Sequence, residues 1–171
     1  VIHVLDREPK LSRLDKVVVR LDWERRHRLM RLHTASHIIA SIMYSKHNAL
    51  ITGGDIQPDY AKDDFGVDKL DKEEAEEVIS AANIIASRGL EVKVYWLSRE
   101  EASRIPGIVK LANRLPPGRE EKLRIVEIPG IDIQADGGPH VRNTGEIGRI
   151  ELIKVENRGR GRKRMYYTVV P

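Results

Sequence analysis

Cysteine is absent from the 171-residue sequence. The chain therefore has no disulfide framework, and any metal site must be built from histidine and carboxylate side chains. Only six histidines are available for such a site. No apolar run approaches the roughly 18 residues of a transmembrane helix, and the sequence does not open on a secretory signal. We therefore predict a soluble, cytoplasmic protein.

Aromatic residues are also scarce, at 5% of the chain, whereas 33% of the residues are charged. Extensive base stacking of the kind used by single-strand-binding proteins is therefore not expected. Lys and Arg outnumber Asp and Glu by 30 to 26. This local excess favours a polyanionic partner, although a solvated face explains either basic cluster alone equally well. The two clusters consist of Arg25, Arg26 and Arg28, and of Arg158, Arg160, Arg162, Lys163 and Arg164.

Hydrophobic periodicity and capping signals predict an α+β fold, in which an antiparallel sheet packs with helices. Asp22 is the expected N-cap of a helix that continues to about residue 45. Further helices are expected at 72–87 and directly after Ser98, where Ser98 and Glu101 resemble a capping box. Strands are expected within 49–67 and at 91–97, 123–128, 147–155 and 165–170, the last two forming a hairpin.

The N-terminal segment predicts two short strands, at 2–5 and 16–21. An isolated strand pair is only marginally stable in water, so these strands are expected to end a preceding domain. We accordingly divide the chain into residues 1–21, the end of a β-barrel-like domain, and residues 22–171, the principal domain.

His33 and His37 are four residues apart in the first predicted helix. Their side chains therefore project from one face of the helix, within reach of a single ion. The sequence lacks a Glu directly after the first histidine, which disfavours a zincin-type protease. Such a pair taken alone is more often two unrelated helix histidines than a metal site.

A second candidate group of ligands lies at Asp136 and His140, within a turn that contains Gly137 and Gly138. Glycines allow the backbone to fold tightly around a site, and carboxylate oxygen and imidazole nitrogen are both zinc ligands. The alternative is an ordinary turn with a surface histidine.

Together, the segments 26–37 and 137–148 resemble the two signature motifs of the alanyl-tRNA synthetase editing domain and of its free-standing, AlaX-type relatives. The resemblance covers about residue 22 to the C-terminus. Editing domains of threonyl-tRNA synthetases share the first motif, but the second, Gly-Gly-Pro-His-Val through Thr-Gly-Glu-Ile-Gly, favours the alanine branch. This sequence departs from the family at Asp136, where cysteine is usual, and at Pro139, where threonine is usual.

The resemblance implies a Zn²⁺-dependent deacylase that removes serine, and possibly glycine, from mischarged tRNA(Ala). His33, His37 and His140 would bind the metal, with Asp136 in the fourth protein position. Ser36 and Thr52 are the candidates for contacting the serine hydroxyl, and Gly137 and Gly138 for lining the substrate site. The two basic clusters would contact the tRNA.

Three alternatives remain open at this point. The chain could edit Ser-tRNA(Thr), as the threonyl branch does. It could instead be a non-catalytic tRNA-binding module with a structural zinc, or an unrelated zinc hydrolase. Discrimination between them requires the geometry of the site.

Overall fold

The computed structural model describes residues 12, 15–105, 108 and 121–171. The helices are α1 Trp23–His47, α2 Lys72–Ser87 and α3 Arg99–Ser103, with a 3-10 turn at Thr144–Ile147. The strands are β1 Ile51–Ile56, β2 Ala61–Phe65, β3 Lys93–Ser98, β4 Lys122–Ile128, β5 Asp132–Ala135, β6 Arg149–Asn157 and β7 Lys163–Val170. The predicted α+β class is confirmed.

Local capping defines where the helices begin. The Asp22 carboxylate accepts a hydrogen bond from the backbone N–H of Arg25 at the start of α1. Reciprocal capping boxes open α2 and α3, the latter formed by Ser98 and Glu101 as predicted. These bonds satisfy backbone N–H groups that have no partner within a helix. None of the helices in the described ranges has the length and apolarity that crossing a membrane requires.

The strands form two antiparallel sheets instead of the one that was expected. The large sheet has the order β1-β2-β7-β6, and the small sheet has the order β3-β4-β5. Both long helices contact the large sheet, α1 at β1, β2 and β7 and α2 at β6. The core between them is close-packed, so it holds α1 in a fixed position. Its members include Leu32, Ile38, Ile39, Met43, Phe65, Val78, Ile150, Met165 and Tyr167.

The two strands predicted in the N-terminal segment are not confirmed. Residues 2–5 lie outside the described residues. The strand predicted at 16–21 is wrong, because this segment has no regular secondary structure and Val17, Val18 and Val19 are exposed. A strand needs a hydrogen-bonded neighbour, and no strand in the described ranges pairs with this segment. The division at residue 21 remains a prediction.

Gly148 joins the 3-10 turn to β6 with a φ of +71°. A Cβ at this position would lie 2.3 Å from the Val170 carbonyl oxygen and 2.6 Å from Nη2 of Arg31. That guanidinium donates to the carbonyls of Ile147 and Val170, at 2.8 and 2.6 Å, and so ties α1 to the chain beyond the turn. Gly148 therefore permits a contact that fastens α1 to β7.

We expect Gly148→Ala to lower the free energy of unfolding by more than the roughly 1–2 kcal/mol of an alanine forced into the left-handed region. Gly130→Ala is the matched control, since Gly130 has a φ of +74° and nothing within 4 Å of its Cβ position. Urea denaturation of both variants measures the difference. Equal losses of stability would show that the contact with Arg31 and Val170 is unimportant.

Candidate metal centre

Four side chains from two distant parts of the sequence meet beside α1. His33 and His37 project from the helix, and Asp136 and His140 come from the segment after β5, which we call the site loop (residues 136–140). One potential ligand atom from each residue lies within 4.8 Å of the other three. This His-Asp cluster consists of the residues predicted as metal ligands.

The imidazoles are arranged closely around the Asp136 carboxylate. The rings of His33 and His140 are stacked with their centroids 4.2 Å apart, and the His37 ring meets the His140 ring edge-on at 4.5 Å. Nε2 of His33 lies 3.5 Å from Oδ2 of Asp136, and Nε2 of His140 lies 3.7 Å from Oδ1. These separations exceed hydrogen-bond length, so the groups surround a common point without bonding to one another.

The other ring nitrogens bond to residues around the cluster. Nδ1 of His37 lies 2.9 Å from Oδ2 of the buried Asp132 carboxylate. Nδ1 of His140 lies 3.1 Å from the Thr34 hydroxyl, which itself donates to the Met30 carbonyl. The Thr34 hydrogen is thereby used, so the His140 Nδ1 must carry the proton and donate. This tautomer leaves a lone pair on Nε2 of His140.

Nε2 of His140 is the buried side-chain nitrogen that has no hydrogen-bond partner among the described residues. An unsatisfied buried polar atom is costly, typically by about 1–3 kcal/mol, and calls for an explanation in a native fold. A metal ion bound at the common point would satisfy this lone pair. The donor set of three imidazoles and one carboxylate is one that zinc accepts.

The charge states also suit a cation. Burial, together with the neighbouring His140 and His37, lowers the pKa of His33 to about 3. Burial likewise lowers the pKa of His140. Burial raises the pKa of Asp136, but contacts with His140, His33 and the Gly138 N–H outweigh it and hold that pKa below its ordinary value. At neutral pH the cluster therefore combines the unprotonated imidazoles of His33 and His140 with the Asp136 carboxylate, which are the forms that bind metal.

The site loop is held in place by a hydrogen bond within the loop and by an arginine side chain from β4. The N–H of Gly138 donates to Oδ1 of Asp136 at 2.8 Å. Nη1 of Arg124 donates to the carbonyls of both Asp136 and Gly138, each at 2.8 Å. A Cβ on Gly138 would lie 2.3 Å from Cε1 of His33, so only glycine lets the loop approach α1 this closely.

Asp132 is expected to strengthen metal binding through His37. Its carboxylate also accepts from the Gln134 amide at 3.0 Å, which fixes its orientation toward the ring. An acidic partner increases the basicity of a ligating imidazole, and losing it typically costs roughly 10- to 100-fold in metal affinity. Asp132→Asn should lower the zinc affinity by that factor in a chelator competition. Asp55→Asn should not, because the Asp55 carboxylate contacts Gln57 and Lys62 and lies outside the cluster. Equal affinities would contradict this role.

Ser36 points to the other side of α1 from Thr34, toward the large sheet. Its hydroxyl donates to Oδ2 of Asp63 at 2.8 Å, and the same oxygen accepts from the Tyr167 hydroxyl at 2.7 Å. Burial raises the pKa of Asp63, although both hydroxyl donors oppose the shift. Burial also raises the pKa of Tyr167 well above its ordinary value. Ser36 therefore belongs to a buried hydrogen-bond network beneath the metal ligands.

The remaining predicted substrate residues are less constrained. Thr52 is exposed on β1, and its hydroxyl donates to the Asp64 carbonyl at 3.3 Å. Gly137 has no neighbour within 4 Å of a Cβ position.

The predicted tRNA-binding cations differ in how available they are. Arg25, Arg158, Arg160 and Arg162 are exposed, the last three in the turn between β6 and β7. Arg26 is half-buried. Arg28 donates to the Pro58 carbonyl and the Thr168 hydroxyl, Lys163 donates to Asn157, and Arg164 forms a bidentate pair with Asp64 at 2.6 and 2.8 Å.

Comparison with known proteins agrees with this site. Residues 123–166, which include the site loop, match the family described as the threonyl and alanyl tRNA synthetase second additional domain. The whole chain is 58% identical to the alanyl-tRNA editing protein AlaX-M of Saccharolobus solfataricus and covers 71% of that protein. The chain belongs to the AlaX family of alanyl-tRNA editing proteins.

The relatives compared are longer than this chain. The AlaX-M protein of Methanosarcina barkeri is 39% identical over 91% of the chain, which spans 64% of that protein. The alanine–tRNA ligase of Methanococcus aeolicus is 35% identical over 98% of the chain, which spans 19% of the ligase. The chain thus matches part of each relative.

Several residues around the cluster were not predicted from the sequence. Asp132 and Arg124 are brought to the site by the small sheet, 95 residues after His37 in the case of Asp132. Thr34 lies between the two helix histidines in the sequence, and this position could have indicated that it contacts a metal ligand. Asp63 lies in β2, where most residues are buried, and a carboxylate in such a strand is the sequence feature that could have indicated its role.

Proposed function

We propose that the chain is a zinc-dependent hydrolase that deacylates tRNA(Ala) mischarged with serine or glycine. The observation that carries the proposal is the His-Asp cluster, in which the Nε2 lone pair of His140 is buried without a partner beside Asp136. Membership of the AlaX family supports a charged tRNA as the substrate. An unrelated zinc hydrolase would not account for the family membership, and the assay below separates catalysis from a non-catalytic module with a structural zinc.

His33, His37, Asp136 and His140 would hold the metal. When bound, zinc supplies a Lewis acid that can polarise an ester carbonyl or lower the pKa of water. Asp132 and Thr34 keep His37 and His140 in the tautomers that present Nε2. Four protein groups leave less open coordination than the three that are usual in catalytic sites. Of the four, Asp136 would be the ligand most readily replaced, because a carboxylate is a harder donor than an imidazole.

A separate hydrolytic site is needed because a binding pocket for alanine cannot strongly exclude glycine or serine. To recognise serine, the editing site must offer a partner for the additional hydroxyl. The hydroxyl hydrogens of Ser36 and Thr52 are donated to Asp63 and to the Asp64 carbonyl. Their oxygens retain lone pairs that can accept a hydrogen bond from serine. Thr52 is the more accessible of the two, because Ser36 is buried and directed toward the large sheet.

Contact with tRNA is proposed for the exposed arginines Arg25, Arg158, Arg160 and Arg162. Lys163 is a secondary candidate, since its ammonium already bonds to Asn157. Arg26, Arg28 and Arg164 are half-buried, and the last two have partners within the chain, so their contribution should be smaller. Such contacts neutralise phosphates and make binding dependent on salt. We place this activity in the cytoplasm, where aminoacyl-tRNAs are used.

The test is a deacylation assay with Ser-tRNA(Ala), Gly-tRNA(Ala), Ala-tRNA(Ala) and Ser-tRNA(Thr), measuring released amino acid. We expect rapid loss of serine or glycine from tRNA(Ala) and sparing of Ala-tRNA(Ala). Faster hydrolysis of Ser-tRNA(Thr) than of Ser-tRNA(Ala) would favour the threonyl branch instead. Stoichiometric zinc with no hydrolysis of any substrate would favour the non-catalytic module.

A further inference from the structure

One face of the small sheet continues from the His-Asp cluster to its outer strand. Residues directly opposite in neighbouring strands point to the same face, and residues two apart in a strand also share a face. Asp132 pairs with Ile128 across β4 and β5, so Arg124, four residues before Ile128, lies on the face that carries the partner of His37. Trp96 on β3 pairs directly with Arg124. The face therefore runs from the metal ligands through Arg124 to Trp96.

Arg124 is fixed next to the cluster but keeps unused donors. Its bonds to the Asp136 and Gly138 carbonyls both use Nη1. Among the described residues, its guanidinium makes no other hydrogen bond, so Nε and Nη2 are available. A guanidinium with two free donors on one edge is suited to bind a phosphate group.

Trp96 is unusually accessible for an indole, with 60% of its surface exposed, and Val94 on the same face of β3 is 48% exposed. Tryptophan is normally well buried, because its ring has a large apolar surface. The exposed Trp96 indole can stack on a flat group, and the neighbouring Arg124 guanidinium has donors left for an anionic one. Together they suit a ligand that is both flat and anionic. A nucleotide has these properties, since its base stacks on aromatic rings and its phosphate accepts from arginine.

We propose that Trp96 and Arg124 form a binding site for the 3′-terminal nucleotide of the aminoacylated RNA. The base stacks on the indole, and the phosphate bonds to Nε and Nη2 of Arg124. The ester on the ribose then lies toward the site loop, whose carbonyls are bonded to that same arginine. The inference rests on the proposed function, because that function supplies the terminal nucleotide.

Binding can be tested without any hydrolysis, using adenosine 5′-monophosphate as the probe. The chain contains two tryptophans, so Trp23→Phe leaves Trp96 as the sole indole. We expect saturable fluorescence quenching of this variant by the nucleotide. The affinity should fall by at least roughly tenfold when adenosine replaces the nucleotide or when Arg124→Met is added, because one charge-assisted hydrogen bond alone contributes about that factor and two are lost. The complementary Trp96→Phe protein should show no saturable response.

A kinetic experiment separates this role from a structural one. For 3′-seryl adenosine 5′-phosphate, we expect Trp96→Ala to lower kcat/KM by roughly 5- to 150-fold, the range of base–aromatic stacking. Trp96→Phe should retain most of the activity. Trp23→Ala is the matched control, since Trp23 is 61% exposed on another part of the molecule, and it should have no effect. Arg124→Met should lower kcat/KM for the phosphorylated ester more than for 3′-seryl adenosine. If the substitution only loosened the site loop, kcat/KM for both esters would fall equally.

Absence of saturable quenching in the Trp23→Phe protein would overturn the proposal. Equal effects of Trp96→Ala and Trp23→Ala would also overturn it, as would equal effects of Arg124→Met on the two esters. If the wild-type chain releases serine neither from these esters nor from Ser-tRNA(Ala), the proposed function fails. The fluorescence titration would then decide the nucleotide site by itself.

Discussion

Gly138→Ala is expected to lower deacylation by about 100-fold, the loss typical of a misplacement of about 1 Å at a reacting centre. The added Cβ would lie 2.3 Å from Cε1 and 2.6 Å from Nδ1 of His33, so the ring or the site loop must move. Either movement separates His33 from Asp136 and His140. The zinc affinity should therefore fall together with the activity.

Gly137→Ala is the matched control for this prediction. It adds the same methyl group one residue earlier in the site loop, where nothing lies within 4 Å. Its zinc affinity should remain close to that of the wild type, so zinc affinity is the readout that separates the two variants; activity is not, because Gly137 is a candidate for lining the substrate site. If both alanine variants behave alike, the close approach of Gly138 to His33 has no role in building the centre.

His140→Ala is expected to remove both the bound zinc and the deacylase activity. The loss of zinc affinity should exceed the roughly 10- to 100-fold that removal of a surrounding partner causes, because a ligand itself is removed. Zinc content of the purified protein and the rate of serine release measure the two effects. Folding should survive, since the substitution also removes a buried nitrogen that has no partner among the described residues.

His47→Ala controls for the general effect of losing a histidine. His47 is the last residue of α1 and lies outside the His-Asp cluster. Its substitution should leave zinc content and activity unchanged. Retention of stoichiometric zinc by a folded His140→Ala protein would contradict the assignment of His140 as a ligand.

The sequence predicts best those features that local interactions determine. The caps at Asp22 and Ser98 are completed within three residues, so α1 and α3 begin where expected. His33 and His37 share a face because the helix repeat places them there. The site loop was expected because its glycines and potential ligands occur within five residues.

Features that depend on contacts between distant segments were not predicted. Strand β5, only four residues long, was not predicted. Its side chains alternate between polar and apolar, but the polar Asp132 and Gln134 are the buried ones, which is the reverse of the usual half-buried strand. The same inversion concealed Asp132 as the partner of His37. The Trp96–Arg124 pair depends on the register of β3 and β4, which the sequence alone does not fix. Residues 16–21 have β-forming side chains but no partner strand among the described residues.

The most direct test of the account is removal and return of the metal during deacylation of Ser-tRNA(Ala). The wild-type protein is treated with a chelator, its metal content and folding are measured, and zinc is then added back. We predict that serine release stops when the metal is removed and recovers when zinc returns, with Ala-tRNA(Ala) spared throughout. An unchanged rate of serine release by folded protein without metal would contradict the account.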